Sequence, residues 1–346
     1  MQYTRLGNSG LVVSRLAFGA MTFGSGDIPA VYKVGEDNAR AMVDQALAAG
    51  INFFDTADAY ANGESERMLG RILGDRRKNV VISTKVGIRM GPELLHTGLS
   101  RRHILASAEA SLKRLGTDYI DLYIVHRFDP VTPLEETLEA LDQLVRRGHV
   151  RYVGYSNWSA WQAAKAVGLQ ERHGWARFVS AQMYYSLVGR DIEHEVLPFV
   201  QDAGIGTMIW SPLASGFLSG KYTRESLKDQ DNRLSGFDFL PFDKEAGFRL
   251  VDAMRPIAEA HKASIAQVAL AWLLAKPGVS TLLLGASKRH QLEDNLGAFN
   301  VRLSPEQLRQ LDELSPHAAY YPNWFTQRLR DPATDKALGT GQNPLV

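Results

Sequence analysis

Gly50-Ile51-Asn52-Phe53-Phe54-Asp55 is a glycine followed at once by a short apolar run that ends in a carboxylate. The same phrase recurs where Gly116 precedes Asp118–His126, Gly148 precedes Val150–Ser156 and Gly204 precedes Ile205–Trp210. Glycine just past a helix takes the left-handed conformation cheaply, and a strand can follow directly. Between the phrases lie stripes at helical spacing: Ala39, Met42, Val43, Ala46 and Leu47 form one, and Leu134, Leu138, Leu141, Leu144 and Val145 another. Leu16–Ala20, Val80–Thr84, Phe178–Gln182 and Val279–Leu283 read as further strands. About eight strands alternating with helices predict an α/β chain closed into a (β/α)₈ TIM barrel. An open doubly wound sheet is the alternative, but it would usually carry G-x-G-x-x-G after its first strand, and that motif is absent.

Working outward, Thr132-Pro133-Leu134-Glu135 and Ser304-Pro305-Glu306-Gln307 read as capping boxes with proline in the first helical turn. Residues 1–14 are expected to form a hairpin that turns at Asn8-Ser9-Gly10 and closes the barrel's bottom. Ser211–Asp243 (residues 211–243) exceeds an ordinary βα loop and is expected to cover a ligand. Residues 315–346 form a tail rich in proline and aromatics, either a second lid or a frayed end. No linker divides the chain, so residues 1–346 are expected to be one barrel domain.

Apolar residues at 45% and charged residues at 22% give a globular balance with enough apolar mass for a large core. The net charge of +1 gives no reason to expect nucleic acid or an anionic membrane as partner. No cysteine is present, which excludes disulfides, thiol catalysis and Cys-based metal sites. Met1-Gln2-Tyr3-Thr4-Arg5 does not begin a signal peptide, and no run reaches the ~20 apolar residues that span a bilayer. A cytoplasmic protein is the expectation, so the sequon Asn157-Trp158-Ser159 is discounted.

In a barrel the C-terminal ends of the strands face one mouth. Asp55 ends the second strand with Tyr60 in the loop beyond it, Lys85 ends the third, and His126 ends the fourth. Each side chain alone has a duller reading as a cap, a solvated strand end, a loop aromatic or a core histidine. Their convergence favours catalysis. A free phenol titrates near ~10, and an adjacent ammonium lowers that value. Tyr60 is thus expected to be a general acid tuned by Lys85, with Asp55 holding the lysine and His126 binding the substrate oxygen. A barrel hydrolase is the lesser alternative. Its histidines are dispersed with no H-x-H pair, and Asp55 has no identifiable carboxylate partner for glycosidase chemistry.

The run Gly50–Tyr60 with Gly63-Glu64-Ser65-Glu66 resembles the aldo-keto reductase signature. Ser83-Thr84-Lys85, Asp118–His126, Gly154-Tyr155-Ser156-Asn157, Ile209-Trp210-Ser211-Pro212-Leu213 and Gly285-Ala286-Ser287 extend the resemblance across the chain. Trp210, Ser215-Gly216 and Ser219-Gly220-Lys221-Tyr222 resemble most the branch of potassium-channel β subunits and their bacterial relatives.

The resemblance implies reversible, NADPH-dependent reduction of an aldehyde or ketone to an alcohol, with the proton from Tyr60. It places Ser156, Asn157 and Gln182 on the nicotinamide carboxamide and Trp210 on the nicotinamide face. Ser211, Pro212, Leu213, Ser215, Gly216 and Lys221 would fold over the pyrophosphate, with Arg233 as a clamp. Gly285 and Ser287-Lys288-Arg289 fall where the eighth helix begins, the family's site for the adenosine 2′-phosphate. That favours NADPH over NADH; Gln291, Asp294 and Asn295 would face the adenine. Met21, Phe23, Arg127, Phe128, Trp158 and Trp324 are the candidates for the pocket of a small carbonyl substrate, whose identity stays open. Oligomeric state also stays open, a homo-oligomer being compatible with the sequence. The non-enzymatic alternative is an NADP(H)-binding, redox-sensing subunit of the channel-β type. Against it stand the intact four-residue set and an expected lack of an N-terminal extension that could act on a pore.

Overall fold

Leu16–Gly19 (β1), Phe53–Asp55 (β2), Val81–Val86 (β3) and Ile120–Val125 (β4) pair side by side in parallel. Val150–Ser156 (β5), Phe178–Tyr184 (β6), Gly206–Trp210 (β7) and Val279–Gly285 (β8) continue the sheet, and β8 returns to β1 with Leu282 opposite Leu16. The result is a closed barrel of eight parallel strands. It is seen in a computed structural model that describes every residue except 27, 29, 229–232, 237, 316–319, 330 and 339–346, and the side chains at 228, 233, 235, 327, 335 and 338.

The helices on the outside are Glu36–Ala48 (α1), Glu64–Leu73 (α2), Arg101–Leu115 (α3), Leu134–Arg146 (α4) and Ala160–His173 (α5). They continue with Val196–Asp202 (α6), Lys244–His261 (α7), Ile265–Ala275 (α8), Arg289–Leu296 (α9) and Pro305–Leu314 (α10). Gly50, Gly116, Gly148 and Gly204 all have positive φ, between 64° and 86°, so each turns the chain from helix to strand as its position in the sequence requires. The α1 stripe buries Ala39, Met42, Val43 and Ala46, and the α4 stripe Leu138, Leu141 and Leu144.

Alternation along the strands decides which side chains reach the mouth. Phe53, Val81, Leu122, Ile124 and Met208 point into the barrel, whereas Phe54, Ile82, Tyr123, Val125 and Ile209 pack outward against the helices. Continuing the same period of two places Asp55, Lys85, His126, Ser156, Gln182 and Trp210 on the inward side at the C-terminal ends. The hairpin Tyr3–Arg5/Val12–Ser14 closes the opposite end: Leu6 and Val13 join the inner cluster, and the Asn8 amide donates to the Gly204 carbonyl.

Two local expectations are corrected. The third strand runs Val81–Val86 rather than Val80–Thr84, so Lys85 lies within it. Thr132 does not cap α4; its hydroxyl donates to Asp129, 2.7 Å away, a carboxylate that binds more strongly than a backbone cap would. At α10 the expected box does form, with Ser304 accepting from the Gln307 amide and Gln307 accepting from the Ser304 amide.

Candidate active site

The four reactive residues converge at the barrel mouth. Lys85 is fully buried, and its ammonium donates to Asp55 Oδ2 at 2.6 Å, to the Thr56 carbonyl at 2.7 Å and to Tyr60 Oη at 3.2 Å. Those three bonds use all three ammonium hydrogens. Tyr60 Oη therefore accepts from Lys85, and its own proton is left for a group in the cavity. Asp55 Oδ1 accepts from Ser83 Oγ at 2.6 Å and from Gln182 Nε2 at 2.9 Å, so both carboxylate oxygens are occupied. The His126 ring stands edge-on to Tyr60, with centroids 5.8 Å apart.

Burial and charge set the protonation states. Burial works against the Lys85 ammonium, but Asp55 and Tyr60 outweigh it and its pKa is raised. Burial pushes the Tyr60 phenol up more strongly than Lys85 pulls it down, and Asp55 adds to the rise. This corrects the expectation of a net-lowered phenol: the ammonium acts as anticipated, and desolvation of the phenolate wins. His126 falls well below the usual histidine range through burial and the nearby Lys85 and Arg127 cations, so it faces the cavity neutral. Its Nδ1 has no hydrogen-bond partner.

The loop from β2 to α2 holds Tyr60 through residues that sequence reasoning had noted only as motif. Ser65 Oγ donates to the Ala20 carbonyl at 2.8 Å and pairs with Thr56 Oγ1 at 2.8 Å. Glu66, fully buried, accepts from Thr84 Oγ1 and from Arg114 Nε, each at 2.5 Å. A Cβ on Gly63 (φ 83°) would lie 2.6 Å from Arg114 Cδ, so only glycine lets the arginine pass over the turn to Glu66. Asp58, with 1% exposure, lies in the same loop, and its amide donates to the Lys85 carbonyl at 3.3 Å. Neither of its carboxyl oxygens has a partner. No periodicity or pairing pattern marks it in the sequence.

A hydrogen-bonded chain continues from Asp55 across the mouth. Ser156 Oγ donates to the Gln182 carbonyl at 2.7 Å and accepts from Asn157 Nδ2 at 2.9 Å, while Trp210 Nε1 donates to Asn157 Oδ1 at 3.0 Å. Asn157 sits at φ 59°, and its Nδ2 also donates to the His126 carbonyl at 3.0 Å. Trp210 leans on Tyr184 with ring centroids 5.1 Å apart, which fixes its face toward the cavity.

That cavity measures about 1350 Å³, above the roughly 300–1,000 Å³ of a drug-sized ligand site, so it has room for a dinucleotide and a substrate together. Met21, Tyr60, His126 and Arg127 line it near the tetrad, together with Ser156, Asn157, Gln182 and Trp210. Ser211, Pro212, Leu213, Ser215, Gly216 and Lys221 line it after β7, and Gly285, Ser287, Lys288, Gln291, Asp294 and Asn295 after β8. Ser211, Ala214, Ser215 and Gly216 all have positive φ, a backbone of the kind that forms anion-binding concavities. Lys221 Nζ lies 3.1 Å from where a Gly216 Cβ would stand. At the start of α9, Gln291 Oε1 accepts from the Ser287 and Lys288 amides at 3.1 and 3.2 Å. Backbone donors, cations and an amide-matching polar chain are the donor set that a phosphorylated nicotinamide dinucleotide needs.

Several expected residues lie elsewhere. Phe23 is fully buried against Phe18, and Trp158, with 3% exposure, packs on Tyr155, Phe178 and Phe128. Both follow strand ends but turn into the outer core, and Phe128, held edge-on to Trp158, goes with them. Trp324 packs on Tyr321 and Phe325 in a tail that docks by Asn323 on the His194 carbonyl, and it does not line the cavity. Arg289 is exposed and does not line the cavity, and the Arg233 side chain lies outside the described residues. Sequence reasoning missed Lys33, Arg89, Phe239 and His290, which line the cavity from loops whose path no periodicity reveals. The glycosidase alternative lacks its geometry: the described carboxylates lining the cavity are Asp55, spent on Lys85, and Asp294, which binds Ser264 and Gln267.

Barrel, tetrad and cavity define a class, and the chain belongs to the aldo/keto reductase family, whose profile matches residues 15–316. It is 38% identical over 332 residues to the "Probable voltage-gated potassium channel subunit beta" of Arabidopsis thaliana, covering 91% of this chain and 96% of that one. It is 33% identical over 344 residues to versiconal hemiacetal acetate reductase of Aspergillus parasiticus, with 93% and 99% coverage. It is 37% identical over 328 residues to an uncharacterized oxidoreductase of Bacillus subtilis, with 91% and 96% coverage. Family and relatives support an oxidoreductase.

Proposed function

We propose that the protein reduces an aldehyde or ketone to the alcohol, reversibly, with NADPH as the reductant. The observation that carries the reading is the Lys85 ammonium, whose three hydrogens are committed to Asp55, Thr56 and Tyr60. The phenol proton is thereby directed at the cavity, where a carbonyl oxygen would accept it. Ser156, Asn157 and Gln182 would hold the carboxamide, Trp210 the ring face, the left-handed turn at 214–216 with Lys221 the pyrophosphate, and Ser287 with Lys288 the 2′-phosphate. When bound, the nicotinamide supplies the hydride. Tyr60 gives its proton to the oxygen, Lys85 stabilises the phenolate left behind, and neutral His126 offers a hydrogen bond to the same oxygen. Because burial holds Tyr60 protonated, reduction should keep its rate into mildly alkaline pH.

Consumption of NADPH against a panel of aldehydes and ketones tests the reading. Tyr60→Phe is expected to lower kcat by roughly 10²–10⁴-fold, the usual share of general acid catalysis, with NADPH affinity nearly intact. Wild-type turnover in that variant would remove Tyr60 from the mechanism. A second reading, an NADP(H)-binding subunit that reports redox state to a channel, is favoured by the 38% identity to a relative named as a probable potassium-channel β subunit. Tight NADPH binding without turnover on any carbonyl, together with capture of a membrane channel, would support it instead.

A further inference from the structure

We infer that the carbonyl substrate carries an anionic group, a carboxylate in the simplest case, and that Arg127 and Arg89 receive it. The inference rests on the reading of Tyr60 as the acid, because that fixes where the carbonyl lies. The cavity is lined by Lys221, Ser287 and Lys288 from the loops after β7 and β8, and by Arg89 and Arg127 from the loops after β3 and β4. Among the described residues no lining carboxylate is available to the two arginines, since Asp55 is bound by Lys85, Ser83 and Gln182, and Asp294 is bound to Ser264 and Gln267.

The two arginines are differently prepared. Arg127 follows His126 directly, is exposed, and makes no hydrogen bond or ion pair among the described residues. Chain adjacency to His126, whose ring lies 5.8 Å from the Tyr60 ring, keeps Arg127 close to the tetrad. Arg89 places Nη1 on the carbonyls of Gly91 and Glu93, at 3.1 and 2.8 Å, so one corner of its fork is held by its own loop. Guanidinium forks match carboxylates in a paired geometry that no neutral substituent reproduces. Met21, Ile88 and Trp210 add apolar lining to the same cavity, which suits an aromatic or short aliphatic spacer between carbonyl and anion.

The test compares 4-carboxybenzaldehyde with its methyl ester, methyl 4-formylbenzoate, using NADPH and the full chain. The acid is expected to have the higher kcat/KM by about tenfold or more, the difference residing in KM and shrinking as ionic strength rises. Arg127→Met should bring the ratio of the two kcat/KM values close to one, and Arg127→Lys should restore part of it. An ester reduced as well as the acid by the wild type, or an Arg127→Met variant that lowers both in proportion, overturns the inference. If NADPH binds and neither aldehyde is reduced, the reductase reading fails on its own account. The anion site is then decided by titrating 4-carboxybenzyl alcohol and its methyl ester into the NADP⁺-loaded protein. Equal affinity for the two alcohols overturns it, and tighter binding of the acid supports it.

Discussion

Asp55 and Asp58 are separated by only Thr56 and Ala57, both are almost fully buried, and their surroundings treat them in opposite ways. Asp55 sits at the end of β2 with its oxygens bound by Lys85, Ser83 and Gln182. Asp58 sits in the loop that follows with no side-chain partner on either oxygen, near the buried Glu66, and with Arg114 already bonded to that glutamate. Burial and the Glu66 charge push its pKa up to about 8, so near neutral pH it is an uncharged acid. One segment thus carries a charge that its neighbours fully satisfy and a charge that they refuse. The two positions lie three residues apart, which shows how finely the local field changes over one turn of loop.

Replacing each aspartate by asparagine should give opposite signs, and the larger effect belongs to Asp55. Asp55→Asn leaves the Lys85 ammonium buried without its counter-charge, a situation that costs about 3–5 kcal/mol. The denaturation midpoint should fall by the corresponding amount with an unchanged m-value, and carbonyl reduction should be lost with it. A variant as stable as the wild type would mean that Lys85 had released its proton. That would break the contrast between the two sites.

Asp58→Asn should stabilise the fold. The folded-state pKa lies near 8 against 3.8 for the ordinary carboxyl, so between these values the unfolded chain has released a proton that the native state still holds. The contribution of Asp58 to stability is therefore complete below about pH 4 and is lost as pH rises to about 8. Each pH unit in that window is worth about 1.4 kcal/mol at most, so the asparagine variant should be ahead by a few kcal/mol at pH 7 and level with the wild type at pH 4. Chemical denaturation across that range reads the difference directly. A gap independent of pH would show that Asp58 is ionised in the folded protein.

The barrel and the tetrad were legible because both rest on short-range rules. Glycine at a helix end and alternation along a strand fix where Asp55, Lys85 and His126 point, whatever the rest of the chain does. The pocket walls were not, because they depend on loop paths. Phe23 and Trp158 stand just past strand ends, yet one turns onto Phe18 and the other onto Phe178, and nothing in their spacing distinguishes them from Met21, which does face the cavity. Asp58 was missed for another reason. An unpaired buried acid leaves no pattern in sequence, since what defines it is the lack of partners in three dimensions. The direction of the Tyr60 shift was missed likewise: the sequence supplies the lysine, and only the fold supplies the burial.

The smallest effect is expected where charge is exposed, at the start of α9, and it sharpens the contrast with the buried pair. Lys288 lines the cavity, while Arg289, next in sequence, does not. Exposed cations contribute little alone, but a charge-assisted bond to a phosphate at a helix N-terminus is worth about 1.5–3 kcal/mol. Lys288→Ala should therefore weaken NADPH roughly ten- to hundredfold, following that range, and NADH hardly at all. Arg289→Ala should weaken NADPH by only a small factor, in keeping with the ~0–1 kcal/mol of a solvated charge. Quenching of tryptophan fluorescence on titration with each dinucleotide measures both. If the two variants lose equal affinity, Arg289 swings into the cavity when the cofactor binds. If NADPH and NADH are weakened alike, the start of α9 does not hold the 2′-phosphate, and the preference for NADPH has to come from elsewhere in the cavity.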